Sequence, residues 1–170
     1  MQLFCIVGPK ACGKTTFAKV AEKEYPVIYV MDIIKDFLFS HNFDTDDQSV
    51  EEAYIDNIGE KPETLANKVI EKALSLPGLD EKNMIFVDDV KSIHQLRTLK
   101  QKFPVKIVSI LAKKENRAKR GGAMNVVREQ AFDIYKLQNQ ADYRLFNNSS
   151  LHDFEEHAKH VLDEMKTGKI

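Results

Sequence analysis

Two cysteines in 170 residues are too few for a disulfide framework, and Cys5 and Cys12 lack partners at metal-ligand spacing. No apolar run reaches the length of a membrane span. The chain opens directly into an apolar strand pattern, without a basic stretch and cleavage site, so no signal peptide is expected. Low-complexity tracts and internal repeats are absent as well. Charge of one sign is also missing: 25 Lys and Arg against 26 Asp and Glu leave a formal net charge of −1. That balance argues against a dominant nucleic-acid surface, which shows a basic excess. What remains is the composition of an ordinary globular protein, long enough for one domain with a substantial core. The expectation is a cytoplasmic enzyme in a single domain over residues 1–170.

Against that background, Gly8-Pro9-Lys10-Ala11-Cys12-Gly13-Lys14-Thr15 fits the phosphate-binding pattern G-x-x-x-x-G-K-[ST]. Residues 2–7 before it form a short apolar run suited to a buried parallel strand, and residues 16–23 after it read as a helix. In such a loop backbone N–H groups wrap a phosphate and the helix N-terminus adds a favourable dipole. Lys14 would reach the outer phosphates of ATP, the Thr15 hydroxyl would hold Mg²⁺, and Thr16 completes the loop. Cys5 reads as a small core residue. Cys12 faces the loop, either as an oxidisable thiol or as a variable loop position.

Four further apolar runs follow, at residues 27–31, 84–87, 105–111 and 143–146, with helical periodicity between them. Leu65, Val69, Ala73 and Leu76 recur at helical spacing, as do Ile93, Leu96, Leu99 and Phe103. The tail from 151 to 165 repeats Phe154, Ala158, Val161, Leu162 and Met165, with Ser149 or Ser150 as N-cap. Alternating strand and helix predicts an α/β fold with helices on both faces of a five-stranded parallel sheet. Ligands then gather beyond the carboxyl ends of the strands, where chemistry is to be sought.

Asp32 and Lys35 follow the second strand one helical turn apart, as a surface ion pair or as groups lining the cleft. Asp88-Asp89-Val90-Lys91 follows the third. One of the two aspartates would hold Mg²⁺, and the other would cap the helix near Ser92 or orient Lys91. After the fourth comes the cationic run 113–122, carrying Arg117 and Arg120, with Arg128 beyond it. It reads as a solvated helix with a glycine C-cap or as a lid whose arginines close over a transferring phosphoryl group. Asn147 and Asn148 then turn into the last helix near the nucleotide base. No N-K-x-D segment is present, so a guanine-reading regulatory GTPase is excluded, and Asp56-Asn57-Ile58-Gly59 is a chance fit to D-x-x-G.

At these residues the chain resembles the deoxynucleoside monophosphate kinases of bacteriophages, and more broadly dephospho-CoA kinase and the nucleoside monophosphate kinases. Beside the phosphate loop, residues 31–38 are similar to the F-A-D-P-L-K segment of that family. Residues 54–60 are similar to its L-Q-x-I-G-T-E segment, and residues 86–91 to its S-D-V-R segment. Ala141-Asp142-Tyr143 through Asn148 is similar to the strand and turn of dephospho-CoA kinases. The chain departs from the pattern at Ile33 for proline, Lys91 for arginine and Gln95 for an acid, and Lys61 is the nearest cation after Gly59-Glu60.

The resemblance implies a P-loop NTPase three-layer sandwich with an acceptor-binding insertion over about 32–64 and a lid over about 113–128. It implies ATP-dependent phosphorylation of a nucleoside monophosphate, with another acceptor such as dephospho-CoA, or a regulatory ATPase, as the alternatives. Gly8 to Thr16, with Arg117 and Asn148, would hold ATP. Thr15 with Asp88 or Asp89 would hold Mg²⁺. Asp32, Lys35, Gly59, Glu60, Lys91 and Arg128 would organise the acceptor. Lys14, Arg117, Arg120, Asp89 and Asp32 would carry catalysis. The expected partner is a small-molecule nucleotide acceptor, with no stable nucleic-acid binding and no membrane; a homodimer is an open assembly.

Overall fold

Along the strands, odd and even positions bury on opposite sides, and this alternation organises the molecule. In the computed structural model, which describes residues 1–46, 50, 52–53, 61–78, 83–121 and 132–168, the five strands are β1 (Gln2–Val7), β2 (Val27–Tyr29), β3 (Met84–Asp88), β4 (Val105–Leu111) and β5 (Tyr143–Phe146). Seven helices occur among the described residues: α1 (Lys14–Ala21), α2 (Val30–Ser40), α3 (Pro62–Ser75), α4 (Ile93–Lys100), α5 (Lys114–Lys119), α6 (Ile134–Asn139) and α7 (Leu151–Thr167).

Leu3, Cys5 and Val7 of β1 join Ile28, Ile85, Val87 and Ile107 on one face, packed against Ile34, Leu38, Leu65, Val69, Leu96, Leu99 and Leu137 from the covering helices. Phe4 and Ile6 join Phe86, Val108, Ile110 and Leu145 on the other, against α1 and α7 through Phe17, Ala18, Phe154, Ala158 and Leu162. Phe86 anchors this second core, stacked on Phe4 at 5.2 Å and edge-on to Phe17 at 6.0 Å. Both faces are therefore apolar, which is why the strands read as continuous hydrophobic runs. Cys5 lies fully inside, and burial pushes its thiol up to about 12, so it acts as a core residue.

All strand pairs are parallel, in the order β2-β3-β1-β4-β5. β1 is central, and the winding reverses there: the chain fills the β3–β2 side first and then crosses to β4 and β5. The register sets Tyr29 beside Asp88 and Ile6 beside Asp88, so the loops after β1, β2 and β3 open on one edge. The α/β architecture with a five-stranded parallel sheet expected from the sequence is thus present. One boundary differs. Residues 30–31 are not strand; α2 starts at Val30, directly after Tyr29, which carries extended φ and ψ as its N-cap. Ser150 caps α7, accepting from the Asp153 N–H in a reciprocal capping box. No described helix is long and apolar enough to cross a membrane.

Candidate active site

The phosphate loop needs its two glycines for space as much as for torsion. Gly8 has φ +156, and a Cβ there would stand 2.5 Å from the Ile110 carbonyl oxygen and 2.6 Å from Cys12 Sγ. Gly13 has φ +109, and a Cβ there would stand 2.3 Å from Asn147 Nδ2. Between them the loop closes through the Cys12 N–H donating to Pro9 O at 3.3 Å, with Ala11 at φ 59. Gly13 is also the N-cap of α1, where no side chain caps the helix and no acidic residue occupies the first turn. The positive end of α1 is thereby left for an anion. Of the two readings of Cys12, the oxidisable thiol does not fit: the side chain is 1% exposed, packed over Gly8, and burial raises its pKa.

Behind the loop the two aspartates divide their work. Asp88 ends β3, and its Oδ2 accepts from the Thr15 hydroxyl at 3.3 Å. Asp89 instead sits between two ammonium groups, 3.3 Å from Lys14 Nζ through Oδ1 and 2.9 Å from Lys91 Nζ through Oδ2. What separates them is the backbone: Asp89 has φ 76, a left-handed conformation that costs a non-glycine residue about 1 kcal/mol or more and turns its side chain from the strand direction. Electrostatics follow position. Burial and the neighbouring Asp89 charge raise the Asp88 pKa to about 7. Burial would raise Asp89 too, but Lys14 and Lys91 hold it below the ordinary carboxylate range. For Lys14, burial is the largest influence and lowers the pKa, but the neighbouring negative groups, Asp89 foremost, together outweigh it, so its pKa is raised and it stays charged. Lys14 also donates to Pro9 O at 3.2 Å.

Asp89 therefore orients the two lysines, and Ser92 itself caps α4, sharing a capping box with Gln95. Gln95 Oε1 accepts from both the Lys91 and Ser92 N–H groups, at 3.1 and 3.2 Å. Asp88 and Thr15 form the pair suited to a hard cation. Asp88 Oδ1 is buried and accepts no hydrogen bond, while Thr15 Oγ1 lies beside Oδ2. No cluster of three His, Cys, Asp or Glu occurs among the described residues. One carboxylate and one hydroxyl nevertheless match the sparse oxygen ligation that Mg²⁺ takes when phosphates supply the rest. The donor set fits.

On the β4 side, Arg117 is buried and donates to Lys10 O at 3.4 Å, fixing α5 on the phosphate loop. Arg120 donates to the Asn147 carbonyl and to Asn147 Oδ1, both at 3.1 Å. Asn147 Nδ2 in turn donates to Cys12 O at 3.0 Å. Asn148 is a step removed: its Oδ1 accepts from the Lys113 N–H at 2.7 Å and holds α5 rather than facing the loop. Sequence reasoning gave Asn148 the ATP role and Asn147 only a place in the turn, whereas the folded β5–α7 turn carries Asn147 to the loop. A cleft of ≈ 500 Å³ opens here, lined by Gly13, Lys14, Thr15, Thr16, Arg120 and Asn147 among others.

On the β2 side, Asp32 is exposed on the first turn of α2 and Lys35 is partly buried one turn later. Tyr29 stands between this helix and the aspartates. Its hydroxyl donates to Glu22 at 3.2 Å, and burial, then Glu22, Asp88 and Asp32, push its pKa up to about 12. Gly59, Glu60 and Arg128 lie outside the described residues, as does the segment 54–60 to which an acceptor role was assigned.

No family model matches the chain, and no curated protein sequence matches it. Solved structures do match. The chain superposes on a dephospho-CoA kinase from Campylobacter jejuni with a TM-score of 0.64 at 19% identity, covering 100% of both chains. It is similar to shikimate kinase from Acinetobacter baumannii in complex with shikimate, with a TM-score of 0.58 at 16% identity over 99% of this chain and 94% of that one. Shikimate kinase from Aquifex aeolicus matches over 99% of both, with a TM-score of 0.56 at 12% identity. Sheet order, loop and superposition together give the chain the fold of the P-loop kinases.

Proposed function

We propose that this protein is an ATP-dependent small-molecule kinase, and that its acceptor is a nucleoside or deoxynucleoside monophosphate converted to the diphosphate. The observation that carries the reading is the buried Lys14–Asp89–Lys91 arrangement beside the Thr15–Asp88 pair. At the end of β3, Asp89 gathers two ammonium groups and Asp88 pairs with the Thr15 hydroxyl beside a single phosphate loop. A carrier of phosphate alone has no use for the second ammonium. A phosphoryl transfer between two anions does, because anionic oxygens flank the migrating group on both sides and repel one another.

In this mechanism the loop backbone from Gly8 to Thr16 and the α1 terminus hold the donor phosphates. Lys14 leaves Pro9 O for the β- and γ-phosphate oxygens while Asp89 keeps it charged and aimed. Thr15 and Asp88 would hold Mg²⁺, which when bound would offset the charge of the donor phosphates. Lys91 neutralises the acceptor phosphate on the other side of Asp89. Arg120, released from Asn147, and Arg117 approach the transferring group from the segment over 113–128, taken as the lid. Asp32 and Lys35, with the span over about 32–64, organise the acceptor. An acceptor phosphate is already an anionic nucleophile, so positioning and charge compensation suffice without a base.

A second reading takes a hydroxyl acceptor and makes Asp32 the general base. It draws on the names of the similar structures, a dephospho-CoA kinase and two shikimate kinases. ADP release with ATP and Mg²⁺, measured across the common nucleoside monophosphates, dephospho-CoA and shikimate, separates the two. Stimulation by nucleoside monophosphates and its loss in Lys14→Ala are the expected results. Near-normal turnover of Lys14→Ala defeats the mechanism, stimulation by a hydroxyl acceptor alone favours the second reading, and no stimulation favours a regulatory ATPase.

A further inference from the structure

Lys91 is held from four directions, and one of its neighbours lies beyond any motif in the sequence. Its N–H donates to Gln95 Oε1 at 3.1 Å, and its carbonyl accepts from the Asp133 N–H at 3.0 Å. Its ammonium binds Asp89 Oδ2 at 2.9 Å and lies 4.9 Å from the centroid of the Phe132 ring. Asp133 then closes the arrangement, its Oδ2 accepting from the Ile93 N–H at 3.1 Å in the first turn of α4. Residues 132–133 are thus stitched to both ends of the short connection between Lys91 and α4, forty positions earlier in the chain. The Lys91 side chain is only 14% exposed, so the attraction between ammonium and ring face acts with little water to screen it.

We propose that Phe132 and Asp133 are positioning residues for phosphoryl transfer, acting through Lys91. The proposal rests on the kinase reading above. Four methylenes separate the Lys91 ammonium from its backbone, and Asp89 alone fixes its distance but not its direction. The Phe132 face supplies the direction, leaving the ammonium poised between Asp89 and the acceptor side. Asp133 fixes the backbone from which the side chain starts. Asp133 is itself held below the ordinary carboxylate range: burial would raise it, but bonds from Lys136 and the Ile93 N–H prevail. It therefore stays an acceptor for the α4 N–H throughout the neutral range.

The test compares Phe132→Leu, which removes the ring face while keeping bulk, with Phe132→Tyr, which keeps the face. Each is made with and without Lys91→Met. ATP, Mg²⁺ and the nucleoside monophosphate or hydroxyl acceptor that stimulates wild-type ADP release are the probes. Phe132→Leu is expected to lower kcat/KM for the acceptor by about tenfold with the ATP KM unchanged, and Phe132→Tyr to restore it. On the Lys91→Met background the same substitution should have little further effect, because its route is gone. Equal losses on both backgrounds, or a fall in thermal midpoint with acceptor kinetics unmoved, overturn the proposal in favour of plain packing. An inert wild type across every acceptor instead defeats the kinase reading, and the proposal falls with it.

Discussion

Replacing Asp88 by Asn should stabilise the protein while silencing it, and the gain should grow with pH. The reason is the environment of the carboxylate. Asp88 is 5% exposed, with Oδ1 accepting no hydrogen bond and the Asp89 charge adjacent. Its pKa rises from 3.8 to about 7, through burial first and Asp89 second, with Lys14, Thr15 and Lys91 only partly offsetting them. A raised folded-state value means the folded protein binds the proton more tightly than the unfolded chain. The resulting stability is fully present below the unfolded value of 3.8 and is lost as pH climbs to about 7. Above that, ionised Asp88 destabilises the fold by roughly 4 kcal/mol relative to a neutral isostere. At about pH 5 only roughly 2 kcal/mol of this is felt. Asn mimics the neutral acid and still accepts from Thr15. Its advantage over wild type should therefore be roughly 2–3 kcal/mol larger at about pH 8 than at about pH 5, or about 5–10 °C in Tm. Asp89, held low by its two lysines, stays ionised across this window in both proteins and cancels. Urea and thermal unfolding in a chelating buffer provide the assay, with ADP release as the activity check. A pH-independent difference, or an Asn variant less stable than wild type at the higher pH, refutes the reasoning.

Two further outcomes test the loop itself. Gly13→Ala sets a Cβ at φ +109 and 2.3 Å from Asn147 Nδ2. Strain together with the displaced bond to Cys12 O should cost about 2–4 kcal/mol in chemical denaturation, and wild-type stability would contradict the geometry. Asn147→Ala strips the donor from the Cys12 carbonyl and one acceptor from Arg120. It should lose about 1–3 kcal/mol of stability and raise the ATP KM; an unchanged ATP KM would reduce Asn147 to scaffold.

The central elements were legible in the residues because burial on both sheet faces writes itself as uninterrupted apolar runs. Residues 105–111 and 143–146 are strands at the expected bounds, and residues 84–87 gain only Asp88. The strand at 27–31 was overrun because Val30 and Met31 are apolar in either state, and periodicity over five residues does not separate a strand end from a helix start. The phosphate loop was legible as a motif whose spacing is itself the geometry. The division between Asp88 and Asp89 was not, since it turns on one positive φ that neighbouring residue types do not announce. Asn147 and Phe132 were illegible for a different reason: each reaches the site from a loop distant in sequence, 135 positions from Cys12 in one case. Fold came from local pattern, and the supports of the site came from tertiary contact.

The central place of β1 has a consequence for how the molecule breathes. A strand paired on both edges and covered on both faces opens only when its neighbours open with it. The phosphate loop is the direct continuation of that strand, and Gly8 is wedged against the backbone of β4. Displacing the loop at Gly8 therefore works against the β4 backbone as well as against β1. With that end of the loop already fixed, anion binding there spends less of its free energy on ordering the backbone.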